Sequence, residues 1–469
     1  MAPRHIAVVG GGITGLAAAL AICDRAGPDV GAIGVTVLEQ SSNLGGKLLS
    51  GTLRWDGHTQ AIELGADAFL VRTPAALELV SRLGLSDEVI HPHTGQAHIF
   101  LNGALHVLPT TTVMGVPADP ASLVDAGLLP AAAGRQISAE PDLPGEPLVA
   151  DVSVGELVRR RFGDVVVDNI IDPLLGGVYA GNVDALSLQA TIPALAAALR
   201  SDSSLLRAAQ AVRAVAKGGP TFGALRGGMR RLVDAAKQTL SAAKHRGEPV
   251  AQVRCDAPVR RLDRGEQGWE LTVGSGHDRQ LVSADAVLLA TPAPTSARLL
   301  RQVAPEVAAE LAAIDYASVA VISFAFPELV LPDGSGMLIP SSSGLIIKAA
   351  TFVDHKWGQA APDVSLVRVS LGRHGDVQAL RRNDTELVAT ALAQLQLVLG
   401  PLPAPLASKV QRWDGAMPQY TVGHNARVAQ ARDLLGEDRS IALAGAGYDG
   451  VGITGCISSA QRAADALLA

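Results

Sequence analysis

Six residues near the start of the chain, Gly10-Gly11-Gly12-Ile13-Thr14-Gly15, restrict what this polypeptide can fold into more than any others. They follow a short apolar run, Ile6-Ala7-Val8-Val9, rich in β-branched residues, which reads as a buried parallel strand. They precede an alanine-rich stretch, Leu16 to Ala26, which reads as a helix. In a strand–turn–helix of this kind the first glycine permits the tight turn. The second lets the backbone approach a pyrophosphate, and the third lets the helix pack closely on the strand. Free N–H groups and a partial positive charge at the helix N-terminus then face the phosphates. The motif alone could be an ordinary glycine turn, but its context argues otherwise. A second strand, Val35-Thr36-Val37-Leu38, ends on Glu39, whose carboxylate can accept hydrogen bonds from a ribose hydroxyl. The interval from Gly10 to Glu39 exceeds the usual spacing of about 20 residues. The surplus falls in a polar loop from Gly27 to Gly34, read as an insertion. The ligand this predicts is a dinucleotide.

With 469 residues the chain is long enough for roughly two or three domains. Hydrophobic residues make up 48% and charged residues 18%, which supplies a large core and excludes a mainly disordered chain. A net charge of -6 offers no general attraction to nucleic acid or an anionic membrane. Cys23, Cys255 and Cys456 lie far apart, with neither metal-ligand spacing nor a disulfide framework, so a reducing cytoplasm is the expected location. The apolar run from Arg4 to Ala21 could imitate a leader peptide, but four glycines interrupt it and no cleavage site follows. No apolar stretch approaches the ~18 residues of a membrane span.

Gly45-Gly46-Lys47 follows Glu39 closely. This pair of glycines resembles the extension found in the large FAD family that includes amine oxidases, phytoene desaturases and protoporphyrinogen oxidases, where it helps seat the pyrophosphate and ribityl region. Leu225-Arg226-Gly227-Gly228-Met229, opening a helix, looks like a second element of that family. Val253 to Leu262, Trp269 to Val273 and Ala286 to Ala290 read as strands. Val259 is the position matching a backbone contact to adenine. Near the C-terminus, Ser440 to Ala444 reads as a strand, Gly445-Ala446-Gly447-Tyr448-Asp449-Gly450 as a turn, and Val451 to Leu468 as a helix whose N-terminus would face the flavin ring.

The expected fold is α/β: a Rossmann-like FAD-binding domain of the amine-oxidase/protoporphyrinogen-oxidase type, assembled from residues 1–74, 216–299 and 411–469. An interleaved α+β substrate-binding domain takes 75–215 and 300–410. The latter holds helices over Pro74 to Leu83, Val154 to Phe162 and Ser187 to Leu199, a hairpin at Asn102-Gly103, and a strand over Tyr316 to Phe326. Gly134 to Pro147 reads as a mobile surface loop.

Three longer motifs are similar to the oxygen-dependent protoporphyrinogen/coproporphyrinogen oxidases over nearly the whole chain. They are Asp172-Pro173-Leu174-Leu175-Gly176-Gly177-Val178-Tyr179-Ala180-Gly181-Asn182, the stretch Trp413 to His424 containing Pro418-Gln419-Tyr420, and Gly447 to Ile453. Glu63-Leu64-Gly65-Ala66-Asp67 resembles the family segment that lines the flavin. The resemblance implies FAD contacts at Gly10, Gly11, Gly12, Ile13, Thr14, Gly15, Glu39, Gln40, Lys47, Gly65, Ala66, Asp67, Val259, Trp413, Val451, Gly452 and Ile453. Members acting on protoporphyrinogen carry a propionate-binding arginine before a hairpin strand. Ala97 occupies that position here, which argues against a protoporphyrinogen-only reading. Phe69-Leu70-Val71-Arg72 and the stretch Gly344 to Trp357, with Lys348, instead resemble the Gram-positive, actinobacterial members, which convert coproporphyrinogen III to coproporphyrin III.

The resemblance further implies three two-electron oxidations by flavin, with oxygen as final acceptor and hydrogen peroxide as by-product. It requires neither a catalytic side-chain base nor a metal. Arg72 and Lys348 are the candidates for propionates, with ordinary surface cations as the alternative. Tyr179 and Asn182 are candidates for the substrate wall, with a purely structural role as the alternative. His91, His93, His98 and His106 read as surface or packing residues. Peripheral membrane contact and a downstream chelatase are the partners to be considered, and oligomeric state is not legible. The competing functions are protoporphyrinogen IX oxidation, amine oxidation, carotenoid desaturation and a non-catalytic FAD scaffold. Aromatics at 3% argue against the aromatic cage an amine oxidase needs.

Overall fold

The computed structural model describes residues 4–25, 33–215, 218–245, 248–276, 278–358, 363–436 and 438–469. At its centre the strand Arg4–Val9 runs parallel to Ile33–Leu38 on one side and Ala286–Leu289 on the other. Ala251–Arg254 and Ile441–Leu443 complete a five-stranded parallel sheet at its two edges. Alternating side chains leave opposite faces of a strand. Ile6 and Val8 therefore enter a core shared with the helices Ile13–Arg25, Arg230–Ala242 and Ile453–Leu468. Ala7 and Val9 enter a second core, shared with the antiparallel sheet of Val259–Gly265, Gly268–Val273 and Gln280–Ala284. Burial on both faces is why these strands are continuous apolar runs. The helix Pro74–Arg82 joins the first core and packs on the C-terminal helix.

A seven-stranded sheet forms the second layer system. Its order is Ala407–Pro418, Tyr316–Pro327, Val364–Leu371, Ile347–Phe352, Gly336–Leu338, His98–Leu101 and Ala104–Val107. The hairpin between the last two turns on Asn102 and Gly103, at φ 52° and 79°. Such positive φ at both central residues is the signature of a type I′ turn. Helices between 120 and 214 pack around a separate core that includes Phe162, Ile170, Leu195 and Tyr420.

Three expectations need correction. Val253 to Leu262 is two strands, not one. The chain turns at Asp256 (φ 51°), held by Asp256 N–H to Ser41 O (3.0 Å) and Ala257 N–H to Glu39 O (2.8 Å), and then leaves the parallel sheet. Ser187 to Leu199 is broken at Pro193 into Leu188–Thr191 and Pro193–Ala198, because proline cannot donate to the preceding turn. Gly134 to Pro147 is no surface loop in its first half. The helix Ala131–Ser138 covers its start, and Glu140 is wholly buried, pinned by Arg161, Ser204 and the backbone of Leu205 and Leu206. The insertion Gly27 to Gly34 lies largely outside the described residues, and Ile33 and Gly34 already belong to the second strand.

Candidate cofactor and substrate site

Three of the four glycines of the first loop each meet a different demand. Gly10 sits at φ 108°, and a Cβ there would stand 2.9 Å from Ala290 O. A Cβ on Gly15 would fall 1.8 Å from Gly10 O, so only glycine lets the helix close on the strand. Around Gly12 a Cβ would meet only Gly46 Cα, at 3.9 Å, which leaves that backbone open to a ligand. The helix begins at Ile13, earlier than its alanine-rich sequence announces, so Ile13, Thr14 and Gly15 form its first turn. The N–H groups of a first turn have no partner within the helix and are available to phosphate oxygens. Gly45 N–H donates to Gly11 O (2.9 Å), and Gly46 lies against Gly12. The two glycine elements, separated in sequence, make one cradle.

Glu39 closes that cradle. Its carboxylate is buried and accepts from Gly11 N–H (2.7 Å), Ser41 N–H (2.9 Å) and Ser41 Oγ (2.8 Å). A carboxylate has about four acceptor directions, so capacity for a ribose hydroxyl remains. Gln40 is exposed beside it. Val259 is buried two residues after Ala257, whose N–H bonds Glu39 O, and this brings it to the same strand end.

The segment after Lys47 is held from far away. Lys47 O accepts from Ala66 N–H (2.9 Å), and a Cβ on Gly65 would fall 1.8 Å from the same oxygen. Burial lowers the pKa of the Lys47 amine. Trp413 Nε1 donates to Leu64 O (2.9 Å), while Arg368 donates to Gly65 O. Asp67 faces Lys356 (3.2 Å), Arg368 (3.7 Å) and Trp357 Nε1 (3.4 Å). Burial opposes its charge, but Lys356 and Arg368 outweigh it and draw the carboxyl down to about 2. Sequence reasoning missed Arg368, Lys356 and Trp357; the stretch ending at Trp357 was singled out only for Lys348.

The C-terminal glycine loop is clamped at both ends. Tyr420 Oη donates to Ala446 O (2.6 Å) and accepts from Gly450 N–H (2.8 Å). Asp449 is gripped by Arg432 (2.6 and 3.0 Å), Arg462 (3.0 Å) and Ser459. Val451 is half-buried, Gly452 is exposed at φ 95° with nothing within 4 Å of a Cβ, and the helix starts at Ile453. Its N-terminus is therefore open to a bound group. Thr14 lies against Gly445, so the first and last glycine loops meet.

The substrate candidates separate. Tyr179, buried at the end of the helix Asp172–Tyr179, packs its ring 5.7 Å from that of Tyr420, which stacks on His424 at 3.9 Å. Asn182 is exposed and spends its side-chain oxygen on Asp184 N–H (2.9 Å), a local turn. Lys348 is 6% exposed, and among the described residues its Nζ meets only Gly176 O, at 3.4 Å. Burial, with Arg373 adding to it, pushes its pKa down to about 7. Arg72 is exposed just beyond the strand Phe69–Leu70, with no ion pair among the described residues. Arg72 thus belongs with the C-terminal helix, where Thr454 Oγ1 donates to Leu70 O (3.0 Å), and Lys348 with the seven-stranded sheet; no hydrogen bond or ion pair joins them. His106 and His91 bond backbone carbonyls at 3.0 Å, and His98 is buried in the sheet.

Two glycine cradles, an acidic strand end and an open helix N-terminus define a flavin-dependent oxidoreductase, and the open backbone at Gly12 and Gly452 fits FAD. The chain belongs to the flavin containing amine oxidoreductase family, which matches residues 13–468. It is 39% identical over 473 residues to a coproporphyrinogen III oxidase of Mycobacterium leprae, covering 100% of this chain and 99% of that one. It is 32% identical over 513 residues to a protoporphyrinogen oxidase of Macaca fascicularis, covering 99% and 98%. A crystal structure of an Exiguobacterium sp. 255-15 protein assigned as a protoporphyrinogen oxidase superposes with a TM-score of 0.84 at 31% identity, covering 99% and 98%. The protein is an FAD-dependent oxidase with the fold that these motifs predict. Among the described residues no helix is long and apolar enough to cross a membrane.

Proposed function

We propose that this enzyme oxidises coproporphyrinogen III to coproporphyrin III in porphyrin synthesis. The observation that carries the reading is the full-length match to the Mycobacterium leprae enzyme of that name, which spans both layer systems. Lys348 supports it: a buried cation without an acidic partner among the described residues suits a carboxylate brought by the substrate. Arg72 is the second carboxylate candidate, and Tyr179 and Asn182 belong to the substrate wall in this reading.

Bound FAD supplies the two-electron oxidant. In this reading Gly10 to Gly15 and Lys47 hold the pyrophosphate region, Glu39 and Gln40 the ribose, and Val259 the adenine. Gly65, Ala66, Asp67, Trp413 and Val451 to Ile453 surround the flavin. Residues 1–74, 216–299 and 411–469 then form the cofactor unit, with Pro74–Arg82 added by its packing, and the remainder holds the substrate. Oxygen is the terminal acceptor, and the enzyme works in the cytoplasm, with peripheral membrane contact and product transfer to a chelatase as part of the same reading.

Anaerobic mixing of the holoenzyme with candidate substrates tests the proposal. Bleaching by coproporphyrinogen III but not by polyamines or phytoene supports it. Bleaching by protoporphyrinogen IX alone would favour the second reading, which the Macaca fascicularis relative supports.

A further inference from the structure

Beside Asp67 lies a cavity of about 30 Å³. Glu63, Asp67, Gly228, Ser323, Trp357 and Arg368 contribute to its wall. Ser323 and Arg368 are direct cross-strand neighbours on Tyr316–Pro327 and Val364–Leu371. Each presents a buried polar atom with no partner among the described residues, Ser323 Oγ and Arg368 Nε, and Ser323 is only 4% exposed. On the other wall the Glu63 carboxylate accepts from Met229 N–H (2.9 Å) through one oxygen and from Ser50 Oγ (3.1 Å) through both, which leaves acceptor capacity. Burial raises the Glu63 pKa, the direction expected of a carboxylate short of donors.

A buried donor or acceptor left unsatisfied costs the desolvation of that group with nothing to offset it. Two such atoms beside an under-served carboxylate, facing one space, call for a common partner. That space exceeds the roughly 10–15 Å³ that holding a water requires, and a buried water needs 2–4 polar contacts. Two carboxylates in the wall, Glu63 and Asp67, disfavour an anion, and the unpartnered polar atoms favour an occupant that forms hydrogen bonds.

We propose that this cavity binds one ordered water molecule, which accepts from Arg368 Nε, donates to Glu63 and takes Ser323 Oγ as its third partner. Through it Arg368 becomes a positioning residue. The same guanidinium donates to Gly65 O and faces Asp67, so fixing Nε fixes the turn that carries Gly65, Ala66 and Asp67. This role rests on the assignment of that turn to the flavin; the water site itself does not.

The test is a crystal structure of the holoenzyme at a resolution that shows ordered water, together with Ser323→Ala and Ser323→Val holoenzymes. The wild type is expected to show one water within hydrogen-bonding distance of Ser323 Oγ, Arg368 Nε and Glu63. Ser323→Ala is expected to retain it, and Ser323→Val to displace it, with a several-fold weaker FAD dissociation constant and a shifted visible flavin band. No water density in the wild type overturns the site. An unchanged dissociation constant and spectrum in a water-free Ser323→Val overturns the positioning role. If that variant does not fold, Ser323→Thr, which keeps the hydroxyl and adds one methyl, is read by the same criteria. These readouts require no porphyrinogen, so they stand or fall apart from the substrate reading.

Discussion

Tyr420 and Gly450 are joined by a 2.8 Å hydrogen bond in which the phenol oxygen accepts from the loop N–H while its own proton goes to Ala446 O. One side chain thus closes the C-terminal glycine loop at both ends. It stands in the Trp413 to His424 motif, and its ring contacts Tyr179 and His424.

Tyr420→Phe removes both bonds and keeps the ring stack. Leaving a part-buried N–H and carbonyl unpaired costs up to about 1–3 kcal/mol. We expect FAD affinity to fall by about tenfold, 1.4 kcal/mol, with secondary structure intact, as measured by flavin release followed by fluorescence. Unaltered retention would show that the loop holds its shape without Tyr420.

Glu39→Ala should weaken FAD retention by more than Glu39→Gln does. The alanine loses the acceptor of Gly11 N–H and Ser41, whereas glutamine keeps one acceptor oxygen. Purification of the alanine variant with full flavin occupancy would remove Glu39 from the ribose site.

Lys348→Met discriminates function from structure. A buried cation lacking an acid partner contributes little to stability, and its replacement by a similar apolar chain should leave Tm unchanged or raised. If Lys348 binds a propionate, KM for the tetracarboxylate should rise several-fold. The pH dependence follows from a folded-state pKa of about 7, below the usual lysine value. The charged form is present below about pH 7, so kcat/KM should fall as pH rises through that value, and this limb should vanish in Lys348→Met. For stability the sign is opposite. The cost of burying the charge is fully present below about 7 and declines as pH rises toward the ordinary lysine range.

Glu140→Gln is the structural counterpart. Glu140 is wholly buried, and its charge is matched by Arg161 and by the N–H groups of Leu205 and Leu206 at a helix start. Burial opposes ionisation, but Ser204, those two N–H groups and Arg161 prevail and hold its pKa below the usual value. Removing one partner of a buried pair costs about 3–5 kcal/mol, readable by urea denaturation, while FAD affinity should not change. Because the folded pKa is depressed, this stabilisation is present above the ordinary glutamate range and is lost as pH falls below it.

The cofactor cradle was largely legible in the sequence because its chemistry is local. Gly10 needs φ 108°, Gly15 needs the absence of a Cβ, and Asn102-Gly103 needs two positive φ values; few residue types meet such demands, so the residue names report the geometry. Glu39 was legible for a similar reason, as the first residue beyond a short apolar strand. Two of the three failures fell where a distant contact overrode a local pattern; the third, the break at Pro193, was local. Gly134 to Pro147 has the composition of a loop, yet Glu140 finds Arg161 and Ser204, 21 and 64 positions away. Val253 to Leu262 has the composition of one strand, yet bonds from Asp256 and Ala257 N–H to the Ser41 and Glu39 carbonyls fold it in two.

The sequence by itself determined that this chain makes a dinucleotide cradle and resembles a porphyrinogen oxidase. Only the tertiary structure decided what surrounds the cradle. Arg368 reaches Gly65 across 303 positions, Trp413 reaches Leu64 across 349, and Thr454 reaches Leu70 across 384. Such partners are chosen by which strands pair and which helix ends converge, and a bond made through space leaves no period or spacing in the chain from which it could be read.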